Sequence, residues 1–277
     1  MARRKHSQKR RGHPIASVLL ALVALLAMMG CTARFLSSCS SPQPLGREGS
    51  STSTNSYYTG TFTQSDGRAT YTGDGITCTK TGIDVSEHQG SIDWPAVAAD
   101  GISFAMVRVG YRGNTEGYLH KDELFEENLA AAQAAGLECG VYFYSQALTE
   151  DEAREEAAFV LDALGGRELS YPVAFDFELS DGHRIGGLDS ATATACARVF
   201  CEAIREGGYR PMLYGNTYDL QRMDLTALGE CPIWYAEYGA APSRGDAFSI
   251  WQYSCTAQVG GVSGACDLNL DLTATPR

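Results

Sequence analysis

Two carboxylates spaced two residues apart end an apolar run in the middle of the chain. The run Tyr-Pro-Val-Ala-Phe-Asp-Phe-Glu occupies residues 171–178, and polar residues follow it. If this run is a β-strand, its period of two places Asp176 and Glu178 on the same face. Buried carboxyls so close together disfavour each other's charge, so they form a candidate acid/base pair. The alternative is that acidic residues simply end a strand at a solvated loop.

The elements around this run alternate as in a parallel α/β fold from residue 82 onwards. The predicted strands are 82–85, 103–109, 139–144, 172–178, 211–214, 232–236 and 248–253, and the predicted helices are 122–135, 150–164 and 189–206. Thr149 is the expected N-cap of the second helix, and Asp189 or Ser190 that of the third. This pattern favours an α/β fold of the irregular TIM-like barrel kind, with several helices missing in the C-terminal part. A doubly wound open sheet is the alternative, but no Gly-rich dinucleotide fingerprint follows the first strand.

Acidic and aromatic residues also end the other predicted strands, where a barrel places its active site. These segments are Gly-Ile-Asp-Val-Ser-Glu-His-Gln-Gly at 82–90, Tyr-Phe-Tyr at 142–144, Tyr-Gly-Asn at 214–216, Trp-Tyr-Ala-Glu-Tyr at 234–238, Trp-Gln-Tyr at 251–253 and Gly-Ala-Cys-Asp-Leu-Asn at 264–269. Aromatic rings stack on sugar faces and exclude water from a glycosidic bond. The combination indicates a carbohydrate site.

Taken together, these segments resemble the glycoside hydrolase family 25 lysozymes, the muramidases that cut the β-1,4 bond after N-acetylmuramic acid in peptidoglycan. The resemblance spans about residues 82–272 and keeps the order of seven motifs: Asp-Val-Ser-x-His-Gln-Gly, Ile-Asp-Trp, Tyr-Phe-Tyr-Ser, Asp-Phe-Glu, Trp-x-Ala-x-Tyr, Trp-Gln-Tyr and Asp-x-Asn. Each motif alone is weak, whereas the ordered set is specific. The resemblance implies an irregular α/β barrel, peptidoglycan glycan strands as substrate, and neither a cofactor nor a metal.

The resemblance also implies roles for the site residues. Glu178 is the proton donor to the leaving sugar oxygen. Asp176 either attacks the anomeric carbon as nucleophile or orients the substrate's own acetamido group, and the second route is favoured. Asp84 and Asp267 match the family's other two site acids, although without the resemblance a loop cap and a turn residue would be the preferred readings. The residues expected to bind substrate are Tyr142, Tyr144, Tyr214, Trp234, Tyr238, Trp251 and Gln252. For Trp251, a place in the barrel core is an equal alternative.

Two other functions stay open from the sequence. One is a different N-acetylhexosamine hydrolase, such as a chitinase. The other is a wall-binding module that kept the barrel and lost turnover, which the presence of all four acids makes the weaker reading. A monomer is expected in each case.

The N-terminal part predicts an exported protein. Residues 1–14 hold six Lys or Arg and no acid, and residues 15–30 carry no charge. Residues 1–31 are therefore interpreted as a basic segment followed by a membrane anchor or a cleaved signal, with lipidation at Cys31 as the weakest fate. Residues 32–77 are rich in Ser, Thr and Gly and are predicted to be a flexible linker, and residues 78–277 are the predicted catalytic domain.

The net charge limits the possible binding partners, and the cysteines bear on the compartment and on metal binding. The predicted catalytic domain has 13 Lys and Arg against 30 Asp and Glu, a net charge of −17, which argues against nucleic acid and against capture on anionic lipid. Nine cysteines fit an extracytoplasmic protein, and the Gly-rich turn between Cys255 and Cys266 predicts a disulfide across it. The absence of Cys-x-x-Cys spacing argues against zinc.

Overall fold

The structure, a computed structural model, describes Tyr57, residues 60–179 and residues 182–274. Twelve strands lie within these residues: β1 Thr61–Ser65, β2 Arg68–Gly73, β3 Ile76–Cys78, β4 Thr81–Val85, β5 Phe104–Arg112, β6 Leu119–Lys121, β7 Glu138–Tyr144, β8 Val173–Asp176, β9 Pro211–Asn216, β10 Ile233–Ala236, β11 Ile250–Ala257 and β12 Cys266–Asp271. All seven strands predicted from the sequence are present.

Eight of these strands close into a barrel in the order β4, β5, β7, β8, β9, β10, β11 and β12. The first seven run parallel, whereas β12 is antiparallel to both of its neighbours, β11 and β4. Strand β6 forms an antiparallel extension on β5 outside the closed ring. The predicted α/β barrel is confirmed, and the open-sheet alternative is wrong because β4 pairs with β5 as well as with β12.

Helices cover the first half of the barrel more completely than the second. They are α1 Trp94–Ala99, α2 Phe125–Ala134, α3 Glu150–Leu164, α4 Ser190–Glu206 and α5 Thr217–Leu220. Thr149 and Asp189 cap α3 and α4 by accepting hydrogen bonds from backbone N–H groups, as predicted. Beyond β9 the described residues contain only the single turn of α5 and a short 3-10 helix at Leu225–Leu228. The predicted loss of helices late in the chain is therefore confirmed.

Strands β1 to β3 form a separate antiparallel sheet where the sequence predicts linker. Phe62 lies edge-on to Trp251 of β11 at 5.1 Å, and the Tyr57 hydroxyl donates a hydrogen bond to the Phe248 carbonyl at 2.5 Å. Tyr71 of the same sheet is 2% exposed. The linker prediction is wrong for residues 61–77, because a few aromatic residues among the Thr and Gly suffice to pack this small sheet on a barrel strand that lacks a covering helix. The rest of the predicted linker lies outside the described residues, apart from Tyr57 and Gly60.

The period of two sorts each barrel strand into an inner and an outer row of side chains. The inner apolar cluster comprises Phe104, Met106, Tyr171, Ala174, Met212, Tyr214, Trp234, Ala236 and Ile250, with Tyr142 packed against it. The alternate residues, such as Val107, Phe143 and Phe175, belong to a larger outer core under the helices. Because seven of the strands are parallel, their carboxyl ends lie together at one open end of the barrel, which is called the barrel mouth below.

The predicted membrane anchor or signal and the predicted disulfide have different outcomes. The predicted anchor or signal at residues 15–30 lies outside the described residues, and none of the helices within them is both long and apolar enough to cross a bilayer. The predicted disulfide between Cys255 and Cys266 is wrong, because Cys266 is a free thiol. The irregular register between β11 and β12 places Ala257 opposite Cys266.

Candidate active site

Asp84 and Asp267 face each other where the barrel closes. The register of β4 and β12 pairs them directly. Asp84 Oδ2 accepts hydrogen bonds from Gln252 Nε2 at 2.9 Å and Asn269 Nδ2 at 2.7 Å. Burial raises the pKa of Asp84 to about 6 despite these bonds, and burial with the charges of Asp84 and Glu178 raises the pKa of Asp267 well above its usual range. The close approach of these two carboxyls therefore disfavours ionisation of both at once.

Asp176 is the last residue of β8 and lies deep in the barrel mouth, 5% exposed. Its neighbours in register are Tyr144 of β7 and Tyr214 of β9. Burial, followed by the negative charges of Glu178 and Asp219, raises the pKa of Asp176 well above its ordinary value. Its Oδ1 atom is buried and has no hydrogen-bond partner among the described residues. A buried carboxyl oxygen without a hydrogen-bond partner can accept a hydrogen bond from a bound substrate.

Glu178 lies two residues beyond Asp176 and is partly exposed. Burial, followed by the charges of Asp219 and Asp84, raises its pKa to about 7, while a hydrogen bond with Tyr214 opposes the rise. A carboxyl with this pKa is substantially protonated near neutral pH and can both donate and accept a proton during one reaction.

Asp219, which the sequence analysis did not single out, ties the loop after Glu178 to the next strand. Its Oδ1 atom accepts a hydrogen bond from the Leu179 N–H at 2.8 Å, and its Oδ2 atom accepts one from the Asn216 N–H at 3.2 Å. Asp219 is 1% exposed, and burial raises its pKa to about 6. The spacing of Asn216 and Asp219 is that of a capping box, which is the sequence signal that could have revealed this residue.

Replacing Asp219 by Asn should move the alkaline limit of activity to lower pH. The amide oxygen can still accept the Leu179 N–H, but the negative charge that raises the pKa of Glu178 is gone. An acid that must be protonated loses activity as pH rises through its pKa, near 7 in the wild type. The kcat/KM profile of Asp219→Asn should therefore fall off at least about 0.5 pH unit earlier than that of the wild type. An unchanged alkaline limb would show that the Asp219 charge does not act on Glu178.

Gln252 joins several of the predicted site residues into one hydrogen-bond network. Its Oε1 atom accepts hydrogen bonds from the hydroxyls of Tyr214 at 2.9 Å and Tyr238 at 3.1 Å, while its Nε2 atom donates to Asp84. Gln252 is 2% exposed. Its side chain therefore fixes the orientation of the Asp84 carboxyl and of the Tyr214 and Tyr238 side chains.

The aromatic residues of the barrel mouth are arranged in two layers. Trp234 is 1% exposed, donates a hydrogen bond from Nε1 to Asn269 Oδ1 at 2.7 Å, and contacts Tyr142 and Tyr214 edge-on at 6.0 and 4.6 Å. Trp234 is thus a floor beneath the site. The partly exposed rings that could contact a substrate are Tyr142, Tyr144 and Tyr238. Asn269, which the sequence presents only as part of a short motif, holds both this floor and Asp84 in place.

The side chain of Trp251 lies outside this site. It is 0% exposed, packs against Phe62 at 5.1 Å and Tyr253 at 5.4 Å, and donates a hydrogen bond from Nε1 to the Glu237 carbonyl at 2.8 Å. Alternation along β11 explains this position, because Gln252 takes the inward direction and Trp251 the outward one. Of the two alternatives for Trp251, the structure supports core packing.

Replacing Trp251 by Phe should therefore lower stability and leave substrate affinity unchanged. The smaller ring gives up apolar contacts and the hydrogen bond to Glu237, for an expected loss of about 1–3 kcal/mol in the free energy of unfolding. Denaturant unfolding measures this loss, and the KM for substrate provides the comparison. Phe62→Leu, on the other side of the same contact, should give the same signature. A higher KM with unchanged stability would return Trp251 to the substrate-binding set.

Arg108 of β5 contributes a buried positive charge to the acidic mouth. Its guanidinium binds Asp122 at 2.8 Å and Glu87 at 3.1 Å, and it is 8% exposed. Its charge partly opposes the rise in the pKa of Asp176. An Arg in the interior of a strand gives no sequence signal for this position. Its partners come from the loop before α2, which holds Asp122, and from a short 3-10 helix at Glu87–Gln89.

Two buried acids, Asp84 and Asp176, and two partly exposed ones, Glu178 and Asp267, lie at one mouth of the barrel. The class of this protein is therefore a TIM-like barrel with a candidate carboxylate site. Comparison with known sequences then specifies the family. Glycosyl hydrolases family 25 matches residues 83–262, more than half of the chain, and the chain belongs to this family.

Three similar proteins illustrate the relationship. The autolytic lysozyme of Clostridium acetobutylicum is 29% identical over 189 residues, covering 68% of this chain and 54% of the relative, and lysozyme M1 of Streptomyces globisporus is 29% identical over 201 residues, covering 68% and 66%. This chain thus spans about half to two thirds of the length of these relatives. The crystal structure of the bacterial lysozyme from Streptomyces coelicolor superposes with a TM-score of 0.57 at 28% identity, covering 69% of this chain and 90% of that one.

Proposed function

We propose that this chain hydrolyses the β-1,4 bond between N-acetylmuramic acid and N-acetylglucosamine in peptidoglycan, with Glu178 as general acid and Asp176 assisting. The observation that carries the proposal is the convergence of Asp84, Asp176, Glu178 and Asp267 at one barrel mouth in a member of glycosyl hydrolases family 25. Relatives of similar sequence are named as lysozymes, which supports peptidoglycan as the substrate class.

In the first step, Glu178 donates its proton to the glycosidic oxygen as the bond from C1 to that oxygen breaks. The acetamido carbonyl oxygen of the same sugar forms a new bond to C1, and the acetamido N–H is held by Asp176. The partner-free Oδ1 of Asp176 suits this contact. The deep position of Asp176 and the partial exposure of Glu178 fit an inner residue that orients substrate and an outer one that reaches the leaving group.

In the second step, water attacks C1 and gives its proton to the Glu178 carboxylate. The bond between C1 and the acetamido oxygen breaks, and the acetamido group is restored. Glu178 therefore ends the cycle protonated, as a pKa of about 7 permits near neutral pH. Asp84 and Asp267 hold substrate hydroxyls or the attacking water, and the rings of Tyr142, Tyr144 and Tyr238 line the glycan path.

The proposed setting is outside the cytoplasm, where peptidoglycan is found, with the chain acting as a monomer that is anchored by or cleaved after its hydrophobic N-terminal segment. The names of its relatives support a role in wall lysis. The net charge of −17 beyond residue 77 suits a partner that is neither nucleic acid nor an anionic lipid surface.

Substrate preference tests this proposal. The 277-residue chain is incubated with purified peptidoglycan and, separately, with chitin hexamers, and new reducing ends are counted over time. We expect release from peptidoglycan to exceed release from chitin by at least about 100-fold in kcat/KM, a difference of about 2.7 kcal/mol in transition-state binding. Equal or faster cleavage of chitin would favour a chitinase-like enzyme. Binding to peptidoglycan without new reducing ends would indicate a module that lacks turnover.

A further inference from the structure

Cys201 and Cys231 bring two sulfur atoms together far from the acidic barrel mouth. Their Sγ atoms are 3.3 Å apart, and both residues are free thiols. Cys201 lies near the end of α4, and Cys231 lies two residues before β10. The other described thiols with printed contacts, Cys139 and Cys266, donate to backbone carbonyls instead. The sulfur pair has no part in the proposed reaction.

We propose that Cys201 and Cys231 are an oxidisable pair that closes to a disulfide when the chain meets a disulfide-bearing oxidant, either a small-molecule disulfide or a thiol–disulfide oxidoreductase. A disulfide requires the sulfurs to approach to about 2.05 Å. The remaining gap of little more than an ångström lies within reach of small rotations of the two side chains. A separation of 30 residues makes this contact a product of the fold and not of local sequence.

The surroundings allow an oxidant to reach the pair. Cys231 is partly exposed, whereas Cys201 is 2% exposed. Cys201 also lines a surface cleft between α4 and the chain segment before β10. The hydrogen bond with Cys231 and then burial raise the pKa of the Cys201 thiol. Cys231 is therefore the thiol that reacts first.

The exchange balances in two steps. The Cys231 thiolate attacks one sulfur of the oxidant, which forms a mixed disulfide and releases the oxidant's other half as a thiol. The Cys201 thiolate then attacks the Cys231 sulfur, which forms the internal bridge and releases the second half. Two protein thiols are oxidised, one oxidant disulfide is reduced to two thiols, and the two protons pass to the released thiols.

The bridge would fasten the end of α4 to the start of β10. The closed segment contains β9 and α5, which supply Tyr214 and Asp219 to the active site. Closing such a segment removes conformational freedom from the unfolded chain and stabilises the folded one. For a domain of this size, the expected gain in Tm is roughly 5–10 °C.

The test uses the full chain, reduced and then equilibrated with oxidised glutathione. Remaining thiols are alkylated, and proteolytic peptides are identified by mass without reduction. We expect a linked pair of peptides containing Cys201 and Cys231, about 2 Da lighter than the two free peptides together. Recovery of both residues in alkylated form, or linkage of either one to a different cysteine, would overturn the proposal.

Variants separate this bridge from any other disulfide in the chain. Cys231→Ser changes a partly exposed position and should lose the oxidation-dependent rise in Tm. Cys196→Ser, on the same helix but without a sulfur neighbour in the described residues, should keep it. A rise in Tm of the same size in Cys231→Ser would contradict the proposal, because the stabilisation would then come from another pair.

Discussion

Replacing Glu178 by Gln should lower kcat on peptidoglycan by about 10³-fold or more while the barrel stays folded. The amide keeps the shape of the side chain but has no proton that it can transfer to the leaving oxygen. Proton transfer by a positioned carboxyl contributes roughly 10²–10⁴-fold to rate, and here the same group is proposed to act twice, first as acid and then as base. The expected loss therefore lies in the upper part of that range.

The stability of the variant provides an internal check on the assignment. The pKa of Glu178 in the folded chain is raised from 4.5 to about 7, so ionisation of this group costs folded stability as pH rises through that interval. Glu178→Gln removes the cost, and its Tm at pH 8 should equal or exceed that of the wild type. Glu168→Gln, an exposed position before β8 at the opposite end of the barrel, is the matched control and should retain full activity. Near-normal turnover by folded Glu178→Gln would refute the role of the acid.

Replacing Asp176 by Asn should also lower kcat, by about 10²–10³-fold. The Asn oxygen can still accept the acetamido N–H, but a neutral amide cannot stabilise the positive charge that develops on the acetamido group as C1 is attacked. The residual activity should consequently exceed that of Glu178→Gln. The comparison requires kcat at saturating glycan, because the buried position of Asp176 also affects binding.

A trapping experiment decides how Asp176 acts. The wild-type chain is incubated with an activated 2-deoxy-2-fluoro glycoside of the substrate, which slows the decay of a covalent glycosyl–enzyme and lacks the acetamido group. The assisted route predicts no stable adduct in the intact mass. A stoichiometric adduct that maps to Asp176 and is absent from Asp176→Asn would make Asp176 a nucleophile and would contradict the assisted route.

Much of the barrel was predictable because its strands and helices carry strong periodic patterns. The helix at Glu150–Leu164 begins after a Thr N-cap and ends before a Gly in the left-handed conformation, and its predicted bounds match the observed ones. The acids at the strand ends were equally visible, since an apolar strand that ends in carboxylates has few explanations. The order of the motifs then specified the family.

Other features depend on contacts that only the closed barrel creates. Glu156 lies in the middle of an acidic helix and has the sequence pattern of a surface residue, yet it is 0% exposed and binds Arg112 and Ser145. The charge of Asp219 acts on Glu178 from a different strand–helix connection. The small sheet before the barrel escaped prediction because its composition is that of a linker, whereas its aromatic residues pack on Trp251 and Phe248.

The most direct test of the proposed activity is the identity of the sugar at the newly formed reducing ends. Peptidoglycan digested with the 277-residue chain is reduced with borohydride, hydrolysed and analysed for the two amino-sugar alcohols, with Glu178→Gln digested in parallel. The proposal predicts muramitol from the wild type and neither alcohol above background from the variant. Glucosaminitol from the wild type, or equal amounts of muramitol from both proteins, would contradict it.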